Sequence, residues 1–244
     1  MFSMPICAWS TDGNAVAQKV YDRDDGKDSY ARLKMLLIDK KGHKRLRTLI
    51  TAVKDYGTLS KSYTRFYTPS AIDGTTFLTW EVHDSDNDQF LYLPALRRVR
   101  RVVSRQKKNR FVNTDFTFED LERRKVSLDS HRILKVEAYS GYSCWVLESI
   151  PKEKESSQYG KRVSWIAKDL HMALRIDFYD SRGNLVKRML NRNLKKIDGI
   201  WTAMDSEMQD LKRRSRTILR ITQVKYNKGI PDHIFSKEYM RHGK

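Results

Sequence analysis

The chain has 244 residues, 39% of them hydrophobic, and its 48 lysines and arginines outnumber its 30 aspartates and glutamates to give a formal net charge of +18. This balance favours an anionic partner, with a merely solvated basic surface as the alternative, and disfavours a cytosolic enzyme that handles no acidic ligand. Two cysteines are too few for a disulfide framework or a four-ligand zinc site. No apolar run approaches the roughly 18 residues of a membrane-spanning helix.

The first ten residues, MFSMPICAWS, are apolar and unlike the sequence that follows. Ala8 and Ser10 are spaced like the small residues that precede a signal-peptidase cleavage site, although a basic start and a full apolar stretch are missing. We therefore expect residues 1–10 to be the remnant of a signal peptide, with a disordered terminus as the alternative. Residues 11–244 are expected to form a single domain.

From Ser29 onward, apolar and polar residues alternate with the period of β-strands. Helical spacing occurs in only three short stretches. They are 14–23, then 116–124, where Thr117 and Asp120 have the spacing of a capping box, and the stretch that Asp232 would cap near the C-terminus. Because a twisted open sheet seldom exceeds about ten strands without closing or splitting, the prediction is a mostly β fold. We expect a single curled antiparallel sheet of about eleven strands, a half-open barrel with short helices forming a lid. A two-sheet sandwich is the alternative.

The polar residues form no recognisable catalytic or metal-binding pattern. The six histidines have no metal-ligand spacing. Asp84, Asp86 and Asp88 resemble the start of a calcium loop, but Gln89 and Ala95 stand where that loop needs glycine and glutamate. No catalytic residue, cofactor or metal site is predicted, and the chain is expected not to be an enzyme.

Two interpretations fit the aromatic and aliphatic residues in the predicted strands. In the first they form a filled core. In the second they line a cavity, because a barrel of more than about eight strands is too wide to fill with its own side chains. We predict an acyl-binding cavity lined by the inward positions of the alternation, namely Leu33, Met35, Leu37, Leu46, Ile50, Leu78, Trp80, Leu91, Leu93, Trp145, Leu174, Ile176, Phe178, Met204, Leu219 and Ile221.

A basic arm follows the predicted strand FLYL, in which Leu91 and Leu93 are expected to face inward and Phe90 and Tyr92 outward. Pro94 ends that strand, and the next stretch, up to Arg110, contains eight basic residues and no acidic one. Near an anionic membrane surface, basic residues contribute about 1 kcal/mol each. The predicted contacts with such a surface are Arg97, Arg98, Arg100, Arg101 and Arg105. Protection of an edge strand is the alternative role.

The same region resembles the periplasmic outer-membrane lipoprotein-sorting proteins, relatives of the lipoprotein carrier LolA. The resemblance rests on an ordered set of short matches: Arg65-Phe66, Pro69, Gly74-Thr75, Leu91-Tyr92-Leu93-Pro94 with the arginines after it, Asp115-Phe116-Thr117, Glu119-Asp120-Leu121, and the ending NKGIPDHIFSKEYM. Together these cover most of the chain after Ser29.

This resemblance implies a half-open barrel closed by a helical lid over a cavity for acyl chains, in a secreted, periplasmic protein. The implied cargo is a lipoprotein or a lipid, carried between membranes or to an inner-membrane exporter of the resistance-nodulation-division type. The arginine that latches the lid in the LolA carrier has no matching local motif in this chain. The protein is expected to be a monomer that contacts an anionic membrane surface and no nucleic acid. The alternative function is that of a basic β-barrel module binding nucleic acid or an anionic surface.

Overall fold

The computed structural model describes residues 12–83 and 85–243, so the predicted signal-peptide remnant and Asp84 lie outside the described residues. In the described part the chain forms two α-helices, α1 (Gly13–Tyr21) and α2 (Lys237–His242), and thirteen strands. The strands are β1 (Asp28–Ile38), β2 (Lys44–Tyr56), β3 (Leu59–Thr68), β4 (Thr76–Trp80), β5 (Asp88–Leu93), β6 (Arg98–Arg101), β7 (Asp129–Tyr139), β8 (Tyr142–Pro151), β9 (Lys161–Ala167), β10 (Met172–Tyr179), β11 (Leu185–Ile197), β12 (Ile200–Asp210) and β13 (Ser215–Tyr226).

The strands belong to one antiparallel sheet that is not closed, which confirms the predicted mostly β fold. There are thirteen strands rather than about eleven. The strand that the sequence did not indicate is β6, because a run made largely of arginine carries no alternation of apolar and polar residues.

The chain divides into two compact units. The smaller contains residues 12–23 and 124–183, with α1 and the strand order β10-β9-β8-β7. The larger contains residues 24–123 and 184–243, with α2 and the order β6-β5-β4-β3-β2-β1-β13-β12-β11. The expectation of a single domain over 11–244 stays a prediction.

In the smaller unit, α1 confirms the helix predicted near residues 14–23. The Asp12 carboxylate accepts a hydrogen bond from the Asn14 N–H at 3.2 Å, which caps the helix. Val16 is fully buried against β8 and β9. A Cβ atom on Gly13 would lie 2.5 Å from the His131 carbonyl oxygen, so only glycine lets the helix start this close to β7.

In the larger unit, strands β2–β5 pack apolar side chains on both faces of the sheet. One face carries a cluster that we call the cover-side cluster, because residues 102–121, the cover segment, lie over it. Its buried members are Ala31, Leu33, Met35, Leu37, Leu49, Phe66 and Phe77 from the strands, and Val102, Phe111 and Phe118 from the cover segment. The other face carries the C-terminal cluster, formed by Ala52, Tyr63, Leu78 and Phe90 with Ile230, Phe235 and Met240.

The helix predicted at 116–124 is wrong, although its capping bonds form. The Thr117 N–H donates to Asp120 Oδ2 at 2.7 Å, and the Asp120 N–H donates to Thr117 Oγ1 at 3.4 Å. Only one 3-10 turn follows, at Glu119–Leu121. The reason is tertiary, because the Phe118 and Glu119 N–H groups donate to carbonyls earlier in the cover segment, at 3.1 and 2.8 Å, which fixes the chain as a loop.

The C-terminal helix is present but begins later than predicted. Its cap is Ser236, whose Oγ accepts from the Tyr239 N–H at 3.1 Å. Asp232 instead starts a 3-10 turn that runs to Phe235. Its carboxylate accepts from Lys54 Nζ at 2.7 Å and from the Tyr56 hydroxyl at 2.8 Å, which ties the C-terminal segment to β2.

Candidate functional site

The candidate site is the apolar face of the sheet beneath the cover segment. Antiparallel pairing aligns one side chain from each strand in a row across this face. The row runs from β1 to the edge strand as Ala31, Thr51, Thr64, Phe77, Leu91 and Arg100. The face is therefore apolar in its interior and ends in a cation at its edge.

Two phenylalanines of the cover segment fill the space above this face. The Phe111 ring lies 5.8 Å from that of Phe66 and 5.0 Å from that of Phe77, centroid to centroid. The Phe118 ring lies 5.6 Å from Phe77 and 5.7 Å from Phe111. The four rings make the tilted and edge-to-face contacts that aromatic pairs favour. In this state the cover segment itself occupies the apolar face.

Asp115 anchors the middle of the cover segment to β13. Its Oδ1 accepts from the Ser215 hydroxyl at 2.5 Å, and its Oδ2 accepts from the Thr217 hydroxyl at 2.7 Å. The Thr217 oxygen in turn accepts from the Asp115 N–H at 3.0 Å. Asp115 and Thr217 are both buried, so these bonds form out of water, where loss of one partner is costly.

A second anchor holds the end of the cover segment. Lys187 Nζ of β11 pairs with Asp120 Oδ2 at 2.8 Å, and both side chains are buried. The buried Gln89 amide donates to the Phe118 carbonyl at 2.9 Å. These contacts are specific and polar, whereas the rings beneath them make only apolar contacts.

Arg47 lies inside the cover-side cluster and was not predicted from the sequence. It is 6% exposed, and its Nη1 donates to the Val112 carbonyl at 2.7 Å, while its guanidinium lies 5.9 Å from the centre of the Phe66 ring. Burial lowers the pKa of the Arg47 guanidinium, and the charges of Arg45 and Arg110 lower it further. Arg47 thus binds the cover segment through a backbone carbonyl.

The hairpin register explains why Arg47 was missed. β1 and β2 pair with Leu33 opposite Leu49 and Met35 opposite Arg47. The alternation Arg45, Arg47, Leu49 and Thr51 therefore faces the cover segment. The sequence favoured the residues between them, because they are the more hydrophobic set.

Six of the sixteen predicted cavity residues belong to the cover-side cluster. Leu33, Met35 and Leu37 are buried in it, and Leu91, Leu219 and Ile221 are half-buried against it. Leu93 and Met204 are half-buried elsewhere in the larger unit. Trp145, Leu174, Ile176 and Phe178 belong to the smaller unit, in which Trp145 packs against the α1 cluster and the Phe178 ring lies 4.7 Å from that of Tyr159.

The prediction that the remaining four residues share this face is wrong. Leu46 is 54% exposed. Ile50, Leu78 and Trp80 pack in the C-terminal cluster on the opposite face. In β2 the residues that face the cover segment are offset by one position from the predicted set. A shift of one residue moves every side chain of a strand to the other face of the sheet.

In β5, Leu91 and its neighbours Phe90 and Tyr92 point to opposite faces as expected, but the face of Phe90 and Tyr92 is also covered. Leu91 packs against the cover-side cluster. Phe90 and Tyr92 point to the other face as predicted, but they pack in the C-terminal cluster, with Phe90 only 5% exposed. The C-terminal segment covers a face that the sequence suggested was open to solvent.

The basic arm forms the edge strand β6 and the turns around it. Arg97, Arg98, Arg100, Arg101 and Arg105 are all exposed. Arg101 pairs with Asp88 Oδ1 at 2.5 Å, and Val99 on the same side packs in the C-terminal cluster. Arg98 and Arg100 lie opposite Leu93 and Leu91 and so belong to the face that the cover segment occupies.

The described residues contain neither a cluster of metal ligands nor a helix that could span a membrane. No group of three or more histidine, cysteine or acidic side chains gathers in a way that would hold a metal ion within residues 12–83 and 85–243. Over the same residues, no helix has the length and apolar character needed to cross a membrane.

Known proteins resemble this chain over almost its full length. A crystal structure of an outer-membrane lipoprotein-sorting protein domain from Vibrio parahaemolyticus is 32% identical, with a TM-score of 0.88, and the match covers 94% of this chain and 98% of that one. A DUF1329 family protein from Desulfovibrio piger is 29% identical, with a TM-score of 0.89 over 94% of this chain and all of that one. A LolA superfamily protein from Nitrosomonas europaea, at 18% identity and a TM-score of 0.73, shares the fold.

A family model also matches most of the chain. A family model described as "Uncharacterized protein" matches residues 58–242, which include the cover segment, the basic arm and the C-terminal cluster's closing segment. No curated protein matches the sequence. The identity to the Vibrio protein extends over nearly the whole of both chains, which shows that this chain belongs to the outer-membrane lipoprotein-sorting protein family. The chain has the fold of the LolA superfamily.

Proposed function

We propose that the protein is a non-enzymatic, monomeric periplasmic carrier. It binds the acyl chains of a lipoprotein or lipid beneath the cover segment and moves them between membranes or to an inner-membrane exporter of the resistance-nodulation-division type. Membership of the lipoprotein-sorting family and the LolA fold support this proposal.

The observation that carries the proposal is how the cover-side face is closed. It is covered by a loop with 3-10 turns, not by a second sheet or a long helix, and the loop contributes the rings of Phe111 and Phe118. Acyl chains offer the same apolar surface as these rings. Displacement of the cover segment would expose a face already shaped for apolar groups.

The exposed arginines of the basic arm supply the second part of the proposal. They lie on and beside the edge strand, and only Arg101 among the five makes an ion pair with a described residue. We propose that they hold the carrier transiently at an anionic membrane surface while cargo is exchanged. No nucleic acid is expected as a partner.

Two neighbouring substitutions in β5 test the acyl site. Leu91 and Tyr92 are both half-buried, but Leu91 faces the cover segment and Tyr92 the C-terminal cluster. We expect Leu91→Lys to abolish uptake of the neutral apolar dye phenylnaphthylamine and of a fluorescent fatty acid, because a charge is placed against the acyl chain. Tyr92→Lys should retain uptake.

Circular dichroism and thermal unfolding of both variants show whether loss of uptake reflects loss of the fold. If the wild type takes up neither probe, the cover-side face is a permanently closed core and the carrier proposal fails. The same conclusion follows if both variants lose uptake equally while remaining folded.

A further inference from the structure

Three arginines converge on one end of the cover-side face. Arg45 and Arg47 lie two residues apart on β2, opposite Leu37 and Met35, so their side chains start from the same face of the sheet. Arg110 enters from the cover segment, where its Nε donates to the Thr114 carbonyl at 2.7 Å and its Nη2 to the Asn113 carbonyl at 2.5 Å. Together with the bond from Arg47 to Val112, two guanidiniums bind three consecutive carbonyl oxygens.

The acidic groups nearby do not neutralise this set. The pKa of Arg110 is lowered by burial and by Arg213 and Arg45, and raised by Asp115 and Asp210. Both carboxylates already accept other bonds, Asp115 from the Ser215 and Thr217 hydroxyls and Asp210 from the Arg213 N–H at 2.9 Å.

Arg47 is the least expected member, because a buried charge is normally paired with an opposite charge. No ion pair joins Arg47 to a carboxylate among the described residues, and its one hydrogen bond is to a neutral carbonyl. A guanidinium carries five donors in a planar fork that matches two oxygens of a phosphate. The site is therefore better suited to an anion than to the carbonyl it holds.

The turn that supplies the carbonyls is conformationally unfavourable. Val112 and Asn113 adopt left-handed φ values of 44° and 59°, and the left-handed region is rare for a β-branched residue such as valine. Such a conformation persists only where surrounding contacts hold it in place. The bonds from Arg47 and Arg110 are part of that support, beside the bonds of the Thr114 N–H and hydroxyl to the Phe111 carbonyl, so a ligand that competes for these arginines would weaken the hold on the turn.

We infer that Arg45, Arg47 and Arg110 form an anion site for the headgroup of the cargo, and that the carbonyls of residues 112–114 occupy this site when no cargo is bound. The inference rests on the proposed function and specifies its substrate class: an amphiphile that carries a phosphate next to its acyl chains. The acylated end of a lipoprotein carries esters and an amide but no phosphate, so a phospholipid-like cargo fits better. Entry of the phosphate displaces the carbonyls while the acyl chains displace Phe111 and Phe118.

Displacement of phenylnaphthylamine from the full chain tests the inference with three competitors: dodecyl phosphate, dodecyl maltoside and inorganic phosphate. Hydrogen bonds to charged groups are strong enough that we expect dodecyl phosphate to compete at a concentration about tenfold lower than dodecyl maltoside. Inorganic phosphate alone should compete poorly, because it lacks the acyl chain.

Arg45→Gln and Arg47→Gln should remove most of the preference for dodecyl phosphate over dodecyl maltoside. Arg45 is exposed, so its variant is expected to fold even if that of the buried Arg47 does not. The control is Arg101→Gln, which removes the same charge from the opposite side of the sheet, where Arg101 is paired with Asp88. This variant should keep the preference.

The inference is overturned if the two dodecyl compounds compete equally, or if Arg45→Gln behaves like Arg101→Gln. It is also overturned if inorganic phosphate blocks dodecyl phosphate binding at similar concentrations, since the site would then serve free phosphate. In these cases dye uptake persists and the carrier proposal stands. If the wild type binds neither dye nor dodecyl compound, the proposed function itself fails and the inference falls with it.

Amide hydrogen exchange supplies a second readout. The Phe111 and Thr114 N–H groups are bonded within the turn, to the carbonyls of Phe116 and Phe111 at 2.8 Å each. Binding of dodecyl phosphate should speed exchange at these amides in the wild type. Unchanged exchange under saturating dodecyl phosphate would show that the carbonyls stay in place and would overturn the displacement.

Discussion

At the scale of single residues, the phenylalanines of the cover segment belong to the core, and the proposed function requires that cargo displace them. Phe118 is 7% exposed and contacts two other rings, as a core residue does. Unlike a strand residue, it is attached to a loop whose backbone bonds at Phe118 and Glu119 go to carbonyls within the cover segment and not to the sheet. Under the proposed function, the same side chain would stabilise the empty protein and leave its position when cargo arrives.

Phe118→Ala should lower the free energy of unfolding by about 3–5 kcal/mol, the usual cost of truncating a buried phenylalanine. It should also increase uptake of phenylnaphthylamine, because the space vacated by the ring adjoins the acyl site. Denaturant titration and dye fluorescence measure the two effects. Phe235→Ala is the matched control, since Phe235 is a buried phenylalanine of the C-terminal cluster.

In the control, stability should fall by a similar amount without a gain in dye uptake. Equal gains in both variants would mean that general loosening, and not the cover-side face, admits the dye. That result would count against Phe118 as an occupant of the acyl site.

Residue patterns predicted where the strands lie better than which face of the sheet each side chain occupies. The alternation in β1 placed Leu33, Met35 and Leu37 on the correct face, because that strand has a single apolar set there. In β2 both alternating sets contain apolar residues, and the inward set includes Arg45 and Arg47. Hydrophobicity alone then favours the wrong register. Arg47 is buried although it is charged, so it breaks the rule that core positions are recognised by their hydrophobic residues.

At the scale of elements, the C-terminal segment is fastened to the sheet by polar contacts to β2 and β4. Asp232 accepts from Lys54 and Tyr56, and the Trp80 indole N–H donates to the Phe235 carbonyl at 2.9 Å. Thr76 Oγ1 donates to the Met240 carbonyl at 3.2 Å. These bonds hold the residues that bury the face opposite the acyl site.

Tyr56 makes this attachment sensitive to alkaline pH. Burial, the hydrogen bond to Asp232 and the charge of Asp232 raise the pKa of Tyr56 from 10.0 to about 12. Because the folded-state pKa is the higher one, the stabilisation is fully present below pH 10 and is lost as the pH rises from there to about 12. Tyr56→Phe should weaken this loss of stability, measured by urea unfolding across that range.

The loss should not vanish in Tyr56→Phe, because burial also raises the pKa of Tyr63 to about 12. Tyr56→Phe should still be less stable than the wild type below pH 10, having lost the bond to Asp232. An identical alkaline decline in both proteins would show that this hydroxyl does not couple the C-terminal segment to pH.

Elements defined by local pattern were recovered, and those defined by distant contacts were not. Helix α1 has its own cap and apolar face, so its sequence suffices. The cover segment has the capping pair Thr117 and Asp120 but forms a loop, because Asp120 also binds Lys187, 67 residues further along the chain. No local pattern reveals a partner at that separation.

At the scale of the whole molecule, charge is distributed so that function and solubility use the same residues. The chain carries a net charge of +18, and the edge strand β6 is among its most basic stretches. Arginines on an edge strand prevent it from pairing with another chain. They also provide cations near the end of the row that crosses the acyl site.

Replacement of Arg97, Arg98, Arg100 and Arg101 by glutamine should weaken binding to anionic liposomes by tenfold or more, since each contributes about 1 kcal/mol near such a surface. Liposome flotation at several salt concentrations measures the effect, which should shrink as salt screens the charges. The control replaces four exposed lysines, Lys40, Lys41, Lys195 and Lys196, and removes the same net charge elsewhere. Equal loss in both variants would indicate an effect of net charge and not of the basic arm.

Because strands β2–β5 pack apolar side chains on both faces, only one of these faces depends on the cover segment for its burial. The C-terminal cluster, closed by residues 230–240, contains no residue of the cover segment. Under the proposed function, the contacts that stabilise the strands and the contacts that cargo replaces would therefore lie on opposite sides of the same strands. A carrier of this kind would remain folded after it releases its cargo and would be able to bind cargo again, since one side stays buried while the other is vacated.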